Sequence, residues 1–266
     1  MLGYWRGAHL PCDVRHSKIA PPQSPMAPKH DKSADEVEAA LRTSFVFPLL
    51  RPAERQRFIA SARSQSWRSG APIFSMGEIG TSMMVVERGE VRISLPSPDG
   101  RDVTLSELKP GAVFGEIGML DGGERSADAT AITNCTLLIF ERAIFVELLK
   151  DNWPLAEAVI KLVCARLRRS DQRMADLAFF DLPSRLAKVL LARARSTRAG
   201  GEPQVTDTQS ALAALAGGSR ENVNRYLRKW QREGLIGIAE RRITILDADR
   251  LSRAAIDPEG PGSATG

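Results

Sequence analysis

Four kinds of group suited to binding a sugar phosphate fall between Gly111 and Ala127 of this 266-residue chain. The stretch runs Gly111-Ala-Val-Phe-Gly-Glu-Ile-Gly-Met-Leu-Asp-Gly-Gly-Glu-Arg125, then Ser126-Ala127. Its glycines let backbone N–H groups approach an anion closely. Glu116 offers a carboxylate that accepts hydrogen bonds from sugar hydroxyls. Arg125 supplies a planar fork matched to a phosphate, and Ser126 adds a short hydroxyl beside it. Runs that read as strands, Asp102–Leu108 and Cys135–Phe140, flank the stretch. These residues predict a compact anion cradle set into a β-rich region.

Such a cradle needs a frame, and the surrounding pattern predicts one. Ser33 to about Arg63 reads as helical. From Trp67 to Phe140, short apolar runs alternate with Gly and Pro. Pro72–Phe74, Met83–Val86, Val91–Leu95, Val103–Leu105 and Leu137–Phe140 read as strands. Gly70, Gly77, Gly89 and Gly111 sit at the turns, and Pro98-Asp-Gly100 reads as a hairpin turn. Short strands at this spacing predict a small barrel or jelly roll.

Ala143 to Asp181 returns to helical character. Ile160, Val163, Leu167, Ser170, Met174 and Leu177 follow one another at steps of three, four, three, four and three. That is a coiled-coil seam, and it predicts a homodimer. Arg166, Arg168, Arg169, Asp171 and Arg173 flank it, so the apolar face is narrow. Ser170 is the one polar member of the seam, where a hydroxyl needs a partner or sets the register.

Thr206 to Trp230 predicts two short helices joined by Gly217-Gly218. Thr208 is the expected cap of the first, whose inner face is Ala211, Leu212 and Leu215. Ser219 is the expected cap of the second, with Val223, Tyr226, Leu227 and Trp230 inside. Arg220, Glu221, Asn224, Arg225 and Arg228 remain on or near the outside. Two helices with a Gly turn, the second basic on its free face, form a helix-turn-helix. Gly234–Ile238 and Arg242–Leu246 read as the strands of a wing. Arg220 and Arg225 suit guanine O6 and N7, and Glu221 suits the cytosine amino group. Charge agrees: Lys161–Ile256 holds 19 Lys and Arg against 10 Asp and Glu, whereas the remainder holds 18 against 22. A basic C-terminal part is the electrostatic footprint of a polyanion partner.

The bulk composition bounds the rest. The length suffices for two modest domains. No apolar run is long enough to span a bilayer, and the first residues do not read as a signal peptide. Residues 1 to about 33 hold five prolines among small and polar residues, the composition of a disordered leader in which Met26 is an alternative start. Cysteines at 12, 135 and 164 form neither a disulfide framework nor a metal-ligand spacing, so a cytoplasmic location is expected. All three histidines (His9, His16 and His30) fall in the leader, which leaves no histidine haem ligand or His-based catalysis in the core. No phosphate-binding Walker loop, kinase lysine or metal cluster is present, so an enzyme's nucleotide-binding regulatory subunit is a remote reading. A redox sensor using Cys135 or Cys164 is a further one.

The cradle resembles the phosphate-binding cassette of cyclic-nucleotide-binding domains, through Phe114-Gly115-Glu116 and Arg125-Ser126-Ala127. Ser219-Arg-Glu-Asn-Val-Asn-Arg225 resembles the recognition helix of cyclic AMP receptor proteins in the CRP/FNR superfamily. The resemblance runs from roughly residue 45 to 254. It implies an α+β architecture in which an N-terminal cyclic-nucleotide-binding β-roll, a jelly roll, is followed by a long dimerisation helix and a C-terminal winged helix-turn-helix. The expected divisions are 1–33 leader, 34–150 β-roll, 151–181 helix and hinge, 182–254 DNA-binding domain and 255–266 flexible tail.

The resemblance also implies roles. Cyclic AMP or cyclic GMP would contact Gly115, Glu116, Ile117, Arg125, Ser126 and Ala127. Glu116 would take the ribose hydroxyl, Arg125 and Ser126 the phosphate, and Arg166 would meet Glu116. Ser170-Asp171 would stand where the family senses the base, with Asp171 departing from the family's Thr-Ser pair. Thr208, Gln209, Ser219, Arg220, Glu221, Asn224 and Arg225 would contact palindromic double-stranded DNA, and RNA polymerase would be a partner. Neither metal nor haem is expected. The alternative is a regulator of the same family that binds DNA without a cyclic nucleotide, its cassette being structural.

Overall fold

Ser33 caps the first helix: Glu36 N donates to its hydroxyl while the Glu36 carboxylate accepts from Ser33 N. This opens α1 (Ala34–Leu41) in the computed structural model, which describes residues 32–97, 102–196, 202–239 and 242–256. The helical stretch expected from Ser33 to about Arg63 is divided into two helices. A 3₁₀ turn at Phe47–Leu49 follows α1, and a second helix, α2 (Pro52–Ser61), starts afresh. Pro48 and Pro52 supply the reason, since each lacks the N–H a continuing helix would use.

The chain then forms β1 (Arg63–Trp67), β2 (Pro72–Phe74), β3 (Ser82–Arg88), β4 (Val91–Leu95), β5 (Val103–Leu108) and β6 (Val113–Phe114). A short helix, α3 (Glu116–Asp121), precedes β7 (Asp128–Ala131) and β8 (Cys135–Glu141). The strands make two antiparallel sheets, in the orders β1-β8-β3-β6 and β2-β7-β4-β5. This is the jelly roll expected. β3 is buried on both faces, which is why Met83–Val86 reads as an unbroken apolar run. Met83 and Val85, opposite Phe140 and Leu138, pack with Leu41 and Phe58 of the helices and with Phe145 and Leu155 further on. Met84 and Val86 face the other sheet, against Phe74, Val91, Ala129 and Ala131.

Two helices follow, α4 (Arg142–Asp151) and α5 (Trp153–Phe179). Asn152 caps α5 by accepting from Leu155 N at 3.1 Å. At about 1.5 Å per residue α5 is roughly 40 Å long. Ile160, Val163, Leu167, Met174 and Leu177 lie exposed along it, so the predicted seam is not covered by the rest of its own chain. After α5 the backbone extends at Phe180, and Asp181 caps α6 (Leu182–Arg193) by accepting from Ser184 N at 3.0 Å.

The C-terminal unit continues with β9 (Arg195–Ser196), β10 (Pro203–Val205), α7 (Gln209–Ala216), α8 (Arg220–Arg232), β11 (Ile236–Ala239), β12 (Arg242–Ile245) and α9 (Ala248–Ala254). Its strands pair in the order β11-β12-β10-β9. Leu186 and Leu190 of α6 share a core with Leu212, Val223, Leu227, Trp230, Ile243 and Leu251. The histidines, Cys12, most of the expected leader (to residue 31), the hairpin turn at 98–101 and residues 257–266 lie outside the described residues. The last leader positions are in place, Lys32 pairing with Glu87 and Ser33 capping α1. Ala255, expected in the tail, is buried against the second core.

Candidate functional site

Gly115 turns the chain from β6 into α3 at φ +74°, the left-handed region that favours glycine. That turn brings Glu116 to the first position of α3, where it is 1% exposed. Neither of its carboxylate oxygens has a hydrogen-bond partner. Arg166, reaching over from α5, places Nη1 2.7 Å from Glu116 Oε1, an ion-pair distance but out of line for a hydrogen bond. Its Nη2 donates to Val113 O at 2.6 Å. Burial pushes the Glu116 carboxyl above its ordinary value, opposed chiefly by the Arg166 charge.

Arg125 is 5% exposed and is held from below. Nη1 donates to Ser82 O at 2.8 Å and to Gly115 O at 2.6 Å, and Nη2 to Ser82 Oγ at 3.2 Å. The guanidinium lies 4.3 Å from the centroid of the Phe74 ring, a cation–π distance. Burial lowers its pKa, opposed by Glu78 and then Glu116. Backbone bonds from Gly80 N to Gly123 O, Arg125 N to Glu78 O and Gly77 N to Arg125 O lace the cradle to the β2–β3 loop. Phe74, Ile93, Phe114, Gly115, Ile117, Gly118, Arg125, Ser126, Ala127 and Arg166 together line a small open cleft.

Gly115 offers a test of this packing. A Cβ there would stand 2.6 Å from Arg125 Nη1, whereas at Gly70, also at positive φ, nothing lies within 4 Å. Both Gly→Ala changes carry the left-handed backbone cost of about 1–2 kcal/mol. Gly115→Ala adds an overpacking cost of roughly 1–3 kcal/mol. Thermal melts are expected to rank Gly115→Ala clearly below Gly70→Ala, and equal melts would mean that Arg125 is not fixed against Gly115.

In the C-terminal unit Thr208 Oγ1 accepts from Ala211 N at 3.2 Å, and Ser219 Oγ accepts from Asn222 N at 3.2 Å, so both helices are capped as expected. Gly217 ends α7 in the left-handed conformation, and Gly218 lets the turn close over Leu182, whose Cδ1 would be 2.5 Å from an added Cβ. Val223, Leu227 and Trp230 anchor α8 in the core, which leaves Arg220, Glu221, Arg225 and Arg228 exposed on its outer face. The inner face of α7 is corrected: Leu212, Ala213 and Ala216 are buried, while Ala211 and Leu215 are only half-buried. Tyr226 is likewise half-buried at the edge. Asn224 is not free on the outside, since it is half-buried and its Oδ1 accepts from Gln209 Nε2 at 3.3 Å.

The matches with known proteins fall on these two units. Residues 64–152 match the cyclic nucleotide-binding domain family and residues 184–254 the Crp-like helix-turn-helix domain family. The chain is 35% identical over 190 residues to the CRP-like cAMP-activated global transcriptional regulator of Mycobacterium tuberculosis, a match covering 70% of this chain and 85% of that one. It belongs to the CRP/FNR family of transcription regulators. It is also 32% identical over 215 residues to the cyclic AMP receptor protein of Thermus thermophilus, covering 81% of this chain and 98% of the other. In fold it is similar to a CRP/FNR-family regulator of Eubacterium rectale, with a TM-score of 0.68 at 24% identity over 80% of this chain and 99% of that one.

The cleft of this CRP/FNR chain gathers Gly115, Ile117, Arg125, Ser126, Ala127 and Arg166, with Glu116 buried beside them. Ser170 and Asp171 do not line it and lie exposed on α5, beyond Arg166. Sequence reasoning missed Ser82 and Phe74, which hold Arg125, and Arg185, which donates to Ala216 O at 2.9 Å and Phe180 O at 2.6 Å. Only the Phe74 strand carried any signal. Cys135 gives the redox reading no support: it is buried, and burial pushes it up to about 11, so its thiolate is scarce at neutral pH. Among the described residues no helix is long and apolar enough to cross a membrane.

Proposed function

We propose that this CRP/FNR regulator is a homodimer gated by a cyclic nucleotide held between the β-roll and α5. Glu116 accepts the ribose 2′-hydroxyl, Arg125 and Ser126 hold the cyclic phosphate, and Arg166 balances the Glu116 charge. Gly115, Ile117 and Ala127 shape the walls. Ser170 and Asp171 meet the base once two copies of α5 lie together. Asp171 accepts from the adenine amino group, or from guanine N1–H and its amino group. The observation that carries this reading is the buried Glu116 carboxylate, ion-paired to Arg166 but with no hydrogen bond aligned on either oxygen. An unsatisfied buried acceptor costs about 1–3 kcal/mol, which a ligand hydroxyl relieves. The names of the mycobacterial and Thermus relatives favour cyclic AMP.

The DNA-binding half presents α8 to the major groove. Arg220 and Arg225 read guanine, Glu221 reads cytosine, Ser219 and Asn224 set the helix, and Thr208 with Gln209 meets the phosphate backbone. Two such helices about 34 Å apart match a palindromic site, and RNA polymerase is the partner through which binding acts. A ligand that binds one arrangement of α5 and the hinge better than another shifts the dimer toward DNA.

One observation favours a second reading, in which the cassette is structural: the Arg125 guanidinium already satisfies three acceptors of its own chain. Calorimetric titration with cyclic AMP and cyclic GMP, followed by anisotropy on duplex DNA, separates the two. Heat from cyclic AMP together with tighter DNA binding is expected. A response to cyclic GMP alone would assign Asp171 to guanine. Silence from both would retire nucleotide gating in favour of the structural cassette.

A further inference from the structure

Arg193, the last residue of α6, joins the two domains. Its Nη2 lies 2.8 Å from Glu107 Oε2 on β5, and its Nε donates to Asp207 Oδ2 at 3.0 Å, just before α7. The same Glu107 has Arg92 of β4 at 3.8 Å from Oε1, and the Arg92 Nε is buried without a hydrogen-bond partner. The carboxylates of Glu107 and Asp207 are largely withdrawn from solvent, their side chains 11% and 13% exposed. α7 packs against β5 beside this node. Thr208 and Ala211, at the start of α7, line an open cleft together with Glu90 and Glu107 of the β-roll. The end of α7 that meets a DNA phosphate in the proposed function therefore faces the β-roll.

We propose that Arg193 is an interdomain latch, holding the DNA-binding domain against the β4–β5 hairpin through Glu107 in an arrangement that does not engage DNA. The inference rests on the family's DNA binding by α7 and α8 and deepens the proposed gating. Opening the latch separates Arg193 from Glu107 and strands neither charge. Arg193 keeps Asp207, and Glu107 keeps Arg92. A buried ion pair is costly to break when one partner is left alone. Here each side retains a second partner, so a ligand-driven shift of modest size suffices.

The test uses the full-length protein and a duplex selected from a random pool by the wild-type chain with cyclic AMP. Without nucleotide, Glu107→Gln is expected to bind that duplex about 5- to 150-fold more tightly than wild type. Glu107→Lys, which repels Arg193, is expected to rise further. With saturating cyclic AMP the three proteins converge. Arg92→Gln leaves the Glu107–Arg193 pair in place but takes away the partner that Glu107 keeps on opening, so without nucleotide it is expected to bind no more tightly than wild type. Unchanged nucleotide-free affinity in both Glu107 variants, with melts near wild type, overturns the latch while leaving gating intact. A rise in Arg92→Gln equal to that in Glu107→Gln overturns it too. If wild type ignores cyclic AMP, gating fails, yet the Glu107 variants still show whether the latch restrains DNA binding.

Discussion

Arg125→Ala is expected to weaken cyclic AMP binding by roughly 30- to 4000-fold in calorimetry. The size follows from the chemistry: truncating one partner of a buried, hydrogen-bonded charge pair costs about 2–5 kcal/mol. Each 1.4 kcal/mol is about tenfold in affinity. The same change removes the donors to Ser82 O, Gly115 O and Ser82 Oγ, and the cation that faces Phe74. Those losses destabilise the β-roll by about 1–3 kcal/mol for each acceptor left buried and unpaired, so the melt also falls. Two companions separate binding from folding. Ser126 is exposed, so Ser126→Ala is expected to melt like wild type while losing several-fold in affinity, on the order of 1 kcal/mol for one hydrogen bond. Arg125→Lys keeps a charge but loses the fork, and is expected to fall between alanine and wild type. An Arg125→Ala protein that is folded at the assay temperature and still binds cyclic AMP as tightly as wild type would sink the phosphate role.

The cassette was legible because its chemistry is local. Gly115, Glu116, Arg125 and Ser126 lie within a dozen residues, and a left-handed turn followed by an acid and an arginine carries meaning at short range. The caps Thr208 and Ser219 were legible for the same reason, each acting on a backbone N–H three residues on. β1 was not legible, because Arg63-Ser-Gln-Ser-Trp67 is an edge strand with little apolar content, held by pairing to β8. β7 was hidden differently. Asp128-Ala-Thr-Ala131 has Thr130 as its one β-branched residue and no aromatic one, yet Ala129 and Ala131 are fully buried between β2 and β4.

The groups that secure the site were the least legible of all. Ser82 reaches Arg125 across 43 positions and Val113 reaches Arg166 across 53. Glu107 meets Arg193 only because α6 returns to the β-roll. No local pattern encodes such meetings, which topology alone creates. The seam on α5 lies between these cases. Its spacing was plain in the sequence, and the structure adds that its apolar members stay exposed within one chain. A regular stripe facing water on a helix that already has its own core contacts at Leu155 and Val159 is what supports the proposed homodimer.

Leu167→Glu at the middle of that stripe is expected to convert the dimer to monomer at micromolar concentration in sedimentation experiments. Leu167 is 60% exposed in the single chain, so a carboxylate there costs the fold little and the melt of the β-roll should hold. In a paired seam the same change removes two leucines, each worth about 1.5–3 kcal/mol when fully buried, and brings two like charges together. DNA affinity should then fall by about 10²- to 10⁴-fold, because two recognition helices that were linked must bind their half-sites separately. Base sensing gives a second readout: if Ser170 and Asp171 act across the seam, cyclic AMP affinity weakens in the monomer although Glu116 and Arg125 are untouched. The pattern differs from that of Glu107→Gln, which should leave the dimer whole and raise DNA binding. A Leu167→Glu protein that still sediments as a dimer and binds its duplex normally would mean that the α5 stripe serves some other contact, and the dimer would have to be sought elsewhere on the surface.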